Sequence, residues 1–390
     1  MLTEYVFRTA RNIVCGSGSS NHLVTYLGLS ATDSSVLLVT QESILSAGTL
    51  SSIVDALDSN RIKYEIVTDV GVEPTVENLS QLHQRTKDMS VSWVIGVGGG
   101  SVLDAAKILS VLRTNELGVR EIIGTDLVKR AGTPLCLIPT TAGTGSEVSP
   151  NAIVTIPEEE LKIAAVSPFL LPTFSIVDPS LTLTAPKGVT AATGMDAFIH
   201  SFESYLSKKA NPMSDMYALE SIRLISRSIL EAYESGSSLK ARENMMYGSL
   251  YGGMALAAAG TAAVHALAYP LGGKLKIPHG VANAMLLPHV FEFNVEAVGD
   301  RVLPIGEAMG VYSGVDRKEC ANSILQRLRD WVTRLGIPQD LAQWGLKDSG
   351  ILELALAASK VTRLLVNNPR EMSVADIEEV YKKLLPATKG

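Results

Sequence analysis

Cysteine is scarce in this chain. Its three copies among 390 residues, Cys15, Cys136 and Cys320, are far apart, odd in number and in no C-x-x-C pair. That excludes a disulfide framework and a sulfur-ligated zinc, and it points to a reducing cytoplasm. Basic runs are missing as well: 34 Lys and Arg stand against 40 Asp and Glu, for a net charge of -6. Neither nucleic acid nor an anionic membrane surface is an expected partner of such a surface. The N-terminus, MLTEYVFRTARNIVCGSG, has no continuous apolar segment before a small-residue cleavage site, so no secretory signal is read there. Between Met245 and Gly273 all four charged residue types are absent. That stretch is mostly Ala and Gly, with His265 and Pro270 inside it, where a membrane span would carry Leu, Ile, Phe and Val. It is expected to be one small-residue helix packed inside a helical domain.

With 46% hydrophobic and 19% charged residues, the chain can bury a large core, and its length favours two domains. From about Ser34 to Pro179, short β-branched runs alternate with amphipathic segments: SVLLVT, IVDALDSN, KYEIVTDV, VENLSQLHQRTKD, VSWVIGVGGG, LDAAKILSVLR, PLCLIPTT. Strand and helix in this alternation predict an α/β, Rossmann-like, doubly wound parallel sheet. Beyond Ala185 the pattern turns helical, as in MSDMYALESIRLISRSILEAYESG, where apolar residues recur three and four apart. The Pro-punctuated IVDPSLTLTAPKG marks the boundary. This gives an α/β domain over 1–183 and an all-α domain over 184–390.

Two loops at strand ends carry chemistry suited to a dinucleotide. In VIGVGGGSVLDAAK, a strand runs into Gly98, Gly99 and Gly100, with Ser101 placed to cap a helix and Asp104 three residues on. A glycine turn feeding a helix start offers free N–H groups and a positive dipole end to phosphate. The third glycine of G-x-G-x-x-G is replaced by Ser101, and Asp104 with Lys107 also reads as an exposed helix pair. The second loop, IPTTAGTGSEVSPN, brings Thr140, Thr141, Thr144 and Ser146 together with two glycines, which suits hydrogen bonds to ribose and phosphate.

The helix AATGMDAFIHSFESYL places Asp196 and His200 four residues apart, on one face. His265 and His279 follow. Each histidine alone is better read as a satisfied core residue. As a set, three imidazoles and a carboxylate match a divalent first-row metal, Fe2+ or Zn2+, which would also compensate a buried charge. His289, after Pro288, reads as a residue at a helix start, and His22 and His83 as surface residues.

The runs GGGSVLDAAK, IPTTAGTGSEV, TGMDAFIHSFESYLS, VHALAYPLGG and IPHGVANAMLLPHVFEFN together resemble the iron-containing, group III alcohol dehydrogenases of the dehydroquinate synthase-like superfamily, over nearly the whole chain. The resemblance implies an NAD(P)-binding domain, a helical metal-binding domain, and a metal in the cleft between them. It implies hydride transfer between NAD or NADP and a small primary alcohol or aldehyde, hydroxy acids and semialdehydes included. Asp196, His200, His265 and His279 match the metal ligands, with Fe2+ expected and Zn2+ acceptable. Gly98, Gly99, Gly100 and Ser101 match the pyrophosphate loop, and Thr140, Thr141 and Thr144 the second cofactor loop. Lys162 matches a basic position near the cofactor and Asn151 one near the substrate. A homodimer is expected on the same ground. Two departures stand out. Gln41 occupies the place of an aspartate common in NAD-preferring members, and it would not repel a 2'-phosphate. Tyr269 replaces the second histidine of an H-x-x-x-H motif; it either passes protons or only shapes the pocket. Asn151, Met254, Ala258 and Tyr269 are the candidate pocket residues, joined by Lys274 and Lys276 if the aldehyde is acidic. The alternatives are a dehydroquinate-synthase-like cyclase, a glycerol-dehydrogenase-like polyol oxidoreductase, and a non-catalytic nucleotide-binding protein with a structural metal.

Overall fold

The computed structural model describes residues 4–159 and 161–385. Nine strands follow in chain order: β1 (Asn12–Cys15), β2 (Ser35–Val39), β3 (Lys63–Val67), β4 (Trp93–Gly98), β5 (Gly124–Thr125), β6 (Leu135–Pro139), β7 (Asn151–Ile156), β8 (Leu161–Val166) and β9 (Phe174–Val177). Six of them form one sheet in the order β1-β9-β6-β4-β2-β3, with every pairing parallel.

The β-branched runs explain this sheet. Along β2 and β4, Leu37, Val39 and Val94 enter one apolar cluster while Val36, Leu38, Ile95 and Val97 enter another. Successive side chains point to opposite faces, so a strand that is apolar throughout must be covered on both. Helix α1 (Ser51–Ser59) covers one face through Ile53 and Leu57; α2 (Val76–Thr86) and α3 (Gly100–Leu112) cover the other through Leu79, Leu82, Leu103 and Ile108. The result is the doubly wound α/β arrangement expected. A second sheet, β5-β8-β7, contains an antiparallel pairing of β7 with β8 that the strand and helix alternation did not predict.

The described residues divide into two compact units. One is Arg8–Ala185 with Gly236–Met246; the other is Pro186–Ser235 with the chain from Tyr247 on and N-terminal residues up to Phe7. The helical unit is built around α4 (Lys187–Leu206), α5 (Pro212–Glu234), the part of α6 (Leu239–Ala259) from Tyr247 on, α7 (Ala263–Leu275) and α8 (His279–Val298). Helix α5 has a complete start: the Asn211 side chain accepts from the N–H groups of Met213 and Ser214, and Pro212 occupies the first turn. Along α4, Phe198 and Phe202 fall on one stripe. Phe198 meets Trp331 edge-on at 5.0 Å and Phe202 meets Phe291 at 5.2 Å. Asp196, His200 and Glu203 lie on the opposite stripe, four and seven positions apart, and all three are buried.

Three expectations are corrected here. The charge-free stretch is two helices, α6 and α7, bent by 103° at a break that contains Gly260 at φ +71°. No single helix among the described residues is long and apolar enough to cross a membrane. His289 lies inside α8 and not at its start, since Pro288 is accommodated within the helix; burial pushes its imidazole down to about 4. His83 is half-buried at the end of α2, where burial and then Lys87 and Arg113 lower its pKa.

Candidate metal centre and dinucleotide loops

Within the helical unit, three imidazoles converge on one carboxylate oxygen of Asp196, across as many as 83 positions of sequence. Nε2 of His265 lies 3.6 Å from Oδ1 of Asp196, Nε2 of His279 at 3.8 Å and Nε2 of His200 at 3.9 Å. The His200 and His265 rings stack at 4.8 Å, and His265 and His279 lie 5.4 Å apart. These separations are too long for hydrogen bonds. They approach the spacing of about 3.4 Å that tetrahedral donors hold when each is about 2.1 Å from one cation. Donor atoms of Asp196, His265 and His279 all lie within 4.8 Å of one another.

The helix spacing explains the convergence. Asp196 and His200 share a face of α4, His265 lies in the first turn of α7, and His279 opens α8. Gly280 lets α8 start against α4. A Cβ at position 280 would lie 2.2 Å from the carbonyl oxygen of Ala192, one turn before Asp196.

Two neighbours that the sequence reading missed complete the cluster. Glu203 Oε2 is 2.6 Å from Nδ1 of His265, and its Oε1 accepts from the Val264 N–H at 2.6 Å. The carboxylate therefore holds the proton on Nδ1 and turns the Nε2 lone pair toward Asp196, the relation that orients imidazole ligands of metals. The Asn283 amide donates to Asp196 Oδ1 at 2.7 Å and lies 3.1 Å from Nε2 of His279. Glu203 is seven positions after Asp196 and Asn283 four after His279, the same-face helical spacings.

The electrostatics favour a cation. Burial alone would raise the Asp196 carboxyl, but the imidazoles of His200, His279 and His265 outweigh it and hold the group far below the usual carboxylate range. Burial alone would lower His265, but the carboxylates of Asp196 and Glu203 push it up to about 9. His265 Nε2 is nonetheless a buried nitrogen without a hydrogen-bond partner, which an arriving cation would satisfy. A divalent metal thus fits the donors present. Metal binding must displace the His265 proton, so apparent affinity should rise with pH below about 9 and level off above it. Competition titrations with a chelator between pH 6.5 and 9.5 measure this slope; a pH-independent affinity would contradict it.

His279 is the most open of the four, with 33% of its side chain exposed against 7% or less for the others. The Tyr269 ring sits 5.9 Å from it. Burial raises the phenol, Arg363 lowers it, and the carboxylates of Asp196 and Glu203 raise it further, with a net rise. Met254 is buried and Ala258 partly exposed, one turn apart on α6. Lys274 pairs with Glu353, and the Lys276 ammonium donates to the Gly273 carbonyl at 2.7 Å.

The α/β unit assembles the two loops against each other. Gly98 ends β4 and Gly100 begins α3. The helix start is closer to the strand than expected: Gly99 is the N-cap, no side chain caps it, and the Ser101 hydroxyl donates to the Val72 carbonyl instead. The Thr140 N–H donates to the Gly98 carbonyl at 3.0 Å. A Cβ on Gly99 would touch Thr141, and one on Gly100 would come within 2.5 Å of the Thr144 methyl. At Gly100 a side chain would push Thr144 away, so glycine there lets the helix start lie close to the threonine loop.

Asp104 and Lys107 are not an exposed pair. The Asp104 carboxylate accepts from the Ser146 hydroxyl at 2.6 Å and the Ile153 N–H at 2.9 Å, and it lies 3.8 Å from the ammonium of Lys107. Lys107 is fully buried and donates to the carbonyls of Ser149 and Asn151 at 2.9 and 2.6 Å. Burial pushes this lysine down to about 8. Both charges brace the second loop from below. Asn151 begins β7. The Gln41 amide is tied to the carbonyls of Val70 and Gly71 at 3.1 and 3.2 Å, and Lys162 is paired with Glu73.

Comparison with known proteins agrees with this division. A family model described as iron-containing alcohol dehydrogenase matches residues 10–179, and one for the C-terminal part of the Fe-containing alcohol dehydrogenase family matches 190–385. Long-chain-alcohol dehydrogenase 1 of Geobacillus thermodenitrificans is 37% identical over 357 residues, 90% of each chain. The NAD-dependent methanol dehydrogenase of Bacillus methanolicus is 31% identical over 350 residues, 90% of this chain and 92% of its own. The crystal structure of a 1,3-propanediol oxidoreductase superposes with a TM-score of 0.93 at 32% identity, covering 98% of this chain and 100% of that one. On these residues, this geometry and these likenesses, the chain belongs to the iron-containing alcohol dehydrogenase family.

Proposed function

We propose that this chain catalyses reversible hydride transfer between a nicotinamide dinucleotide and a small primary alcohol or aldehyde, with Asp196, His200, His265 and His279 holding Fe2+, or Zn2+ in its place. The convergence of the three imidazole Nε2 atoms on one Asp196 oxygen supports this reading most directly. When bound, the metal supplies Lewis acidity toward a substrate oxygen and the nicotinamide gives or takes the hydride. The protein's own residues do the rest. Glu203 keeps His265 in the tautomer that offers Nε2. His279 marks the side open to small molecules. Gly98, Gly99, Gly100 and Ser101, with Thr140, Thr141 and Thr144, orient the dinucleotide's phosphates and sugars. Tyr269, whose phenol is a weaker acid here than in water, forms part of the pocket wall. With no carboxylate at Gln41 to repel a 2'-phosphate, both NAD and NADP are accepted. The enzyme works as a cytoplasmic homodimer.

The test is NADH and NADPH oxidation with short aldehydes by protein stripped of metal and reloaded with Fe(II) or Zn(II). Turnover restored by either metal is expected; none with any aldehyde or metal rejects the proposal. Replacing Glu203 by glutamine removes the charge that fixes His265. Metal affinity should fall roughly 10- to 100-fold with the fold retained, as measured by chelator competition; an unchanged affinity would assign Glu203 to packing alone.

A further inference from the structure

The reading above leaves the far end of the substrate undefined, and one cation is placed to meet it. Arg363 lies in a short helix, Thr362–Leu365, that packs on α7, the helix of His265 and Tyr269. Asn367 clamps this turn: its amide donates to the Thr261 carbonyl, four residues before His265, at 2.9 Å, and to the Arg363 carbonyl at 3.4 Å. Gly260 makes room for that amide, since a Cβ there would come within 2.9 Å of it. Leu364 is buried beneath. The Arg363 side chain is exposed, and among the described residues it forms no ion pair with a carboxylate. Its turn packs on the helix that carries Tyr269, the two side chains are electrostatic neighbours, and the Tyr269 ring lies 5.9 Å from that of His279, the most open of the four candidate ligands. The other nearby cations, Lys274 and Lys276, are engaged with Glu353 and a backbone carbonyl.

We propose that Arg363, together with the Tyr269 hydroxyl, reads an acidic group, and that the preferred substrate is a short aldehyde, or the matching alcohol, ending in a carboxylate, sulfonate or phosphonate. A guanidinium presents a planar fork of donors to such a group, and a phenol adds one more. Histidine in place of Tyr269 would offer no hydroxyl at that position. The inference rests on the site reading proposed above, and its test separates the two.

Metal-loaded protein is assayed with succinate semialdehyde against butanal, which share a four-carbon chain, and with sulfoacetaldehyde against acetaldehyde to compare the acids. Wild type is expected to favour the acidic member of a pair by kcat/KM. Arg363→Gln should cut that preference roughly tenfold, mainly through KM, since an exposed charge-assisted contact is worth about 1.4 kcal/mol or so. Tyr269→Phe should cut it by less. Calorimetric titration with 4-hydroxybutyrate and 1-butanol gives a readout without turnover, in which the acid's tighter binding should weaken in Arg363→Gln. Equal treatment of acid and neutral partners by wild type, or a preference unmoved by Arg363→Gln, overturns the inference. If no aldehyde is reduced, the site reading fails, and the titration alone still decides whether Arg363 reads an acid.

Discussion

Protein in which Asp196 is replaced by alanine is expected to purify folded, with almost no bound metal and with activity down by roughly a thousandfold or more. The reason is geometric. All three imidazole Nε2 atoms lie within 3.9 Å of one oxygen of this carboxylate. Three neutral imidazoles can still gather around a cation, but the site loses the negative charge that balances it at a buried location. Lewis acidity contributes several kcal/mol to such reactions, and each 1.36 kcal/mol is a factor of ten in rate. The fold should survive because α4 is held mainly by the opposite stripe, through Phe198, Phe202, Trp331 and Phe291. Metal content by elemental analysis, far-UV circular dichroism and steady-state rates decide the matter together. Full metal occupancy with normal turnover would refute the ligand assignment.

Gly280→Ala should cost about a hundredfold in kcat without touching a single candidate ligand. The added methyl would lie 2.2 Å from the carbonyl oxygen of Ala192 and 2.7 Å from its carbonyl carbon. Both are backbone atoms of α4, so no side chain can swing away, and the start of α8 must retreat by about 1 Å to reach an ordinary contact. His279 sits at that start, next to the substituted residue. A displacement of about 1 Å at a reacting centre costs on the order of 10²-fold in rate, and overpacking typically removes 1–3 kcal/mol of stability. Thermal unfolding and chelator competition should show a lowered Tm and weakened metal binding in the same variant. A variant with wild-type rates and metal affinity would mean that α4 and α8 can separate without cost.

The parts of the molecule legible in the sequence are those where one residue type has few other uses. Runs such as SVLLVT and VSWVIGVGGG, apolar on both alternating faces, can only be strands buried on both sides, and they form the centre of the sheet. Histidine is rare in this chain, so Asp196 and His200 at helical spacing with two later imidazoles narrowed the chemistry at once. Glutamate and asparagine are common on helices, and nothing local set Glu203 or Asn283 apart; only the fold brings Glu203 to His265. Lys107 shows the same limit. Its spacing from Asp104 reads as a solvated pair, and only the packing of β7 over α3 turns it into a buried brace. The antiparallel pairing of β7 with β8 was missed because alternating strands and helices imply parallel neighbours, although Ala152, Val154 and Ile156 alternate inward as a strand should. Pro288 misled in the other direction, since it sits inside a helix.

Helix α4 carries its aromatic and its ionisable stripe on opposite sides of one rigid rod. Rolling that rod to relieve a crowded or emptied spot at Phe198 would swing Asp196, His200 and Glu203 through the same angle. Mutations deep in the hydrophobic interior, chosen only for their effect on melting, should therefore surface as changes in which metal the protein retains and how fast it lets go.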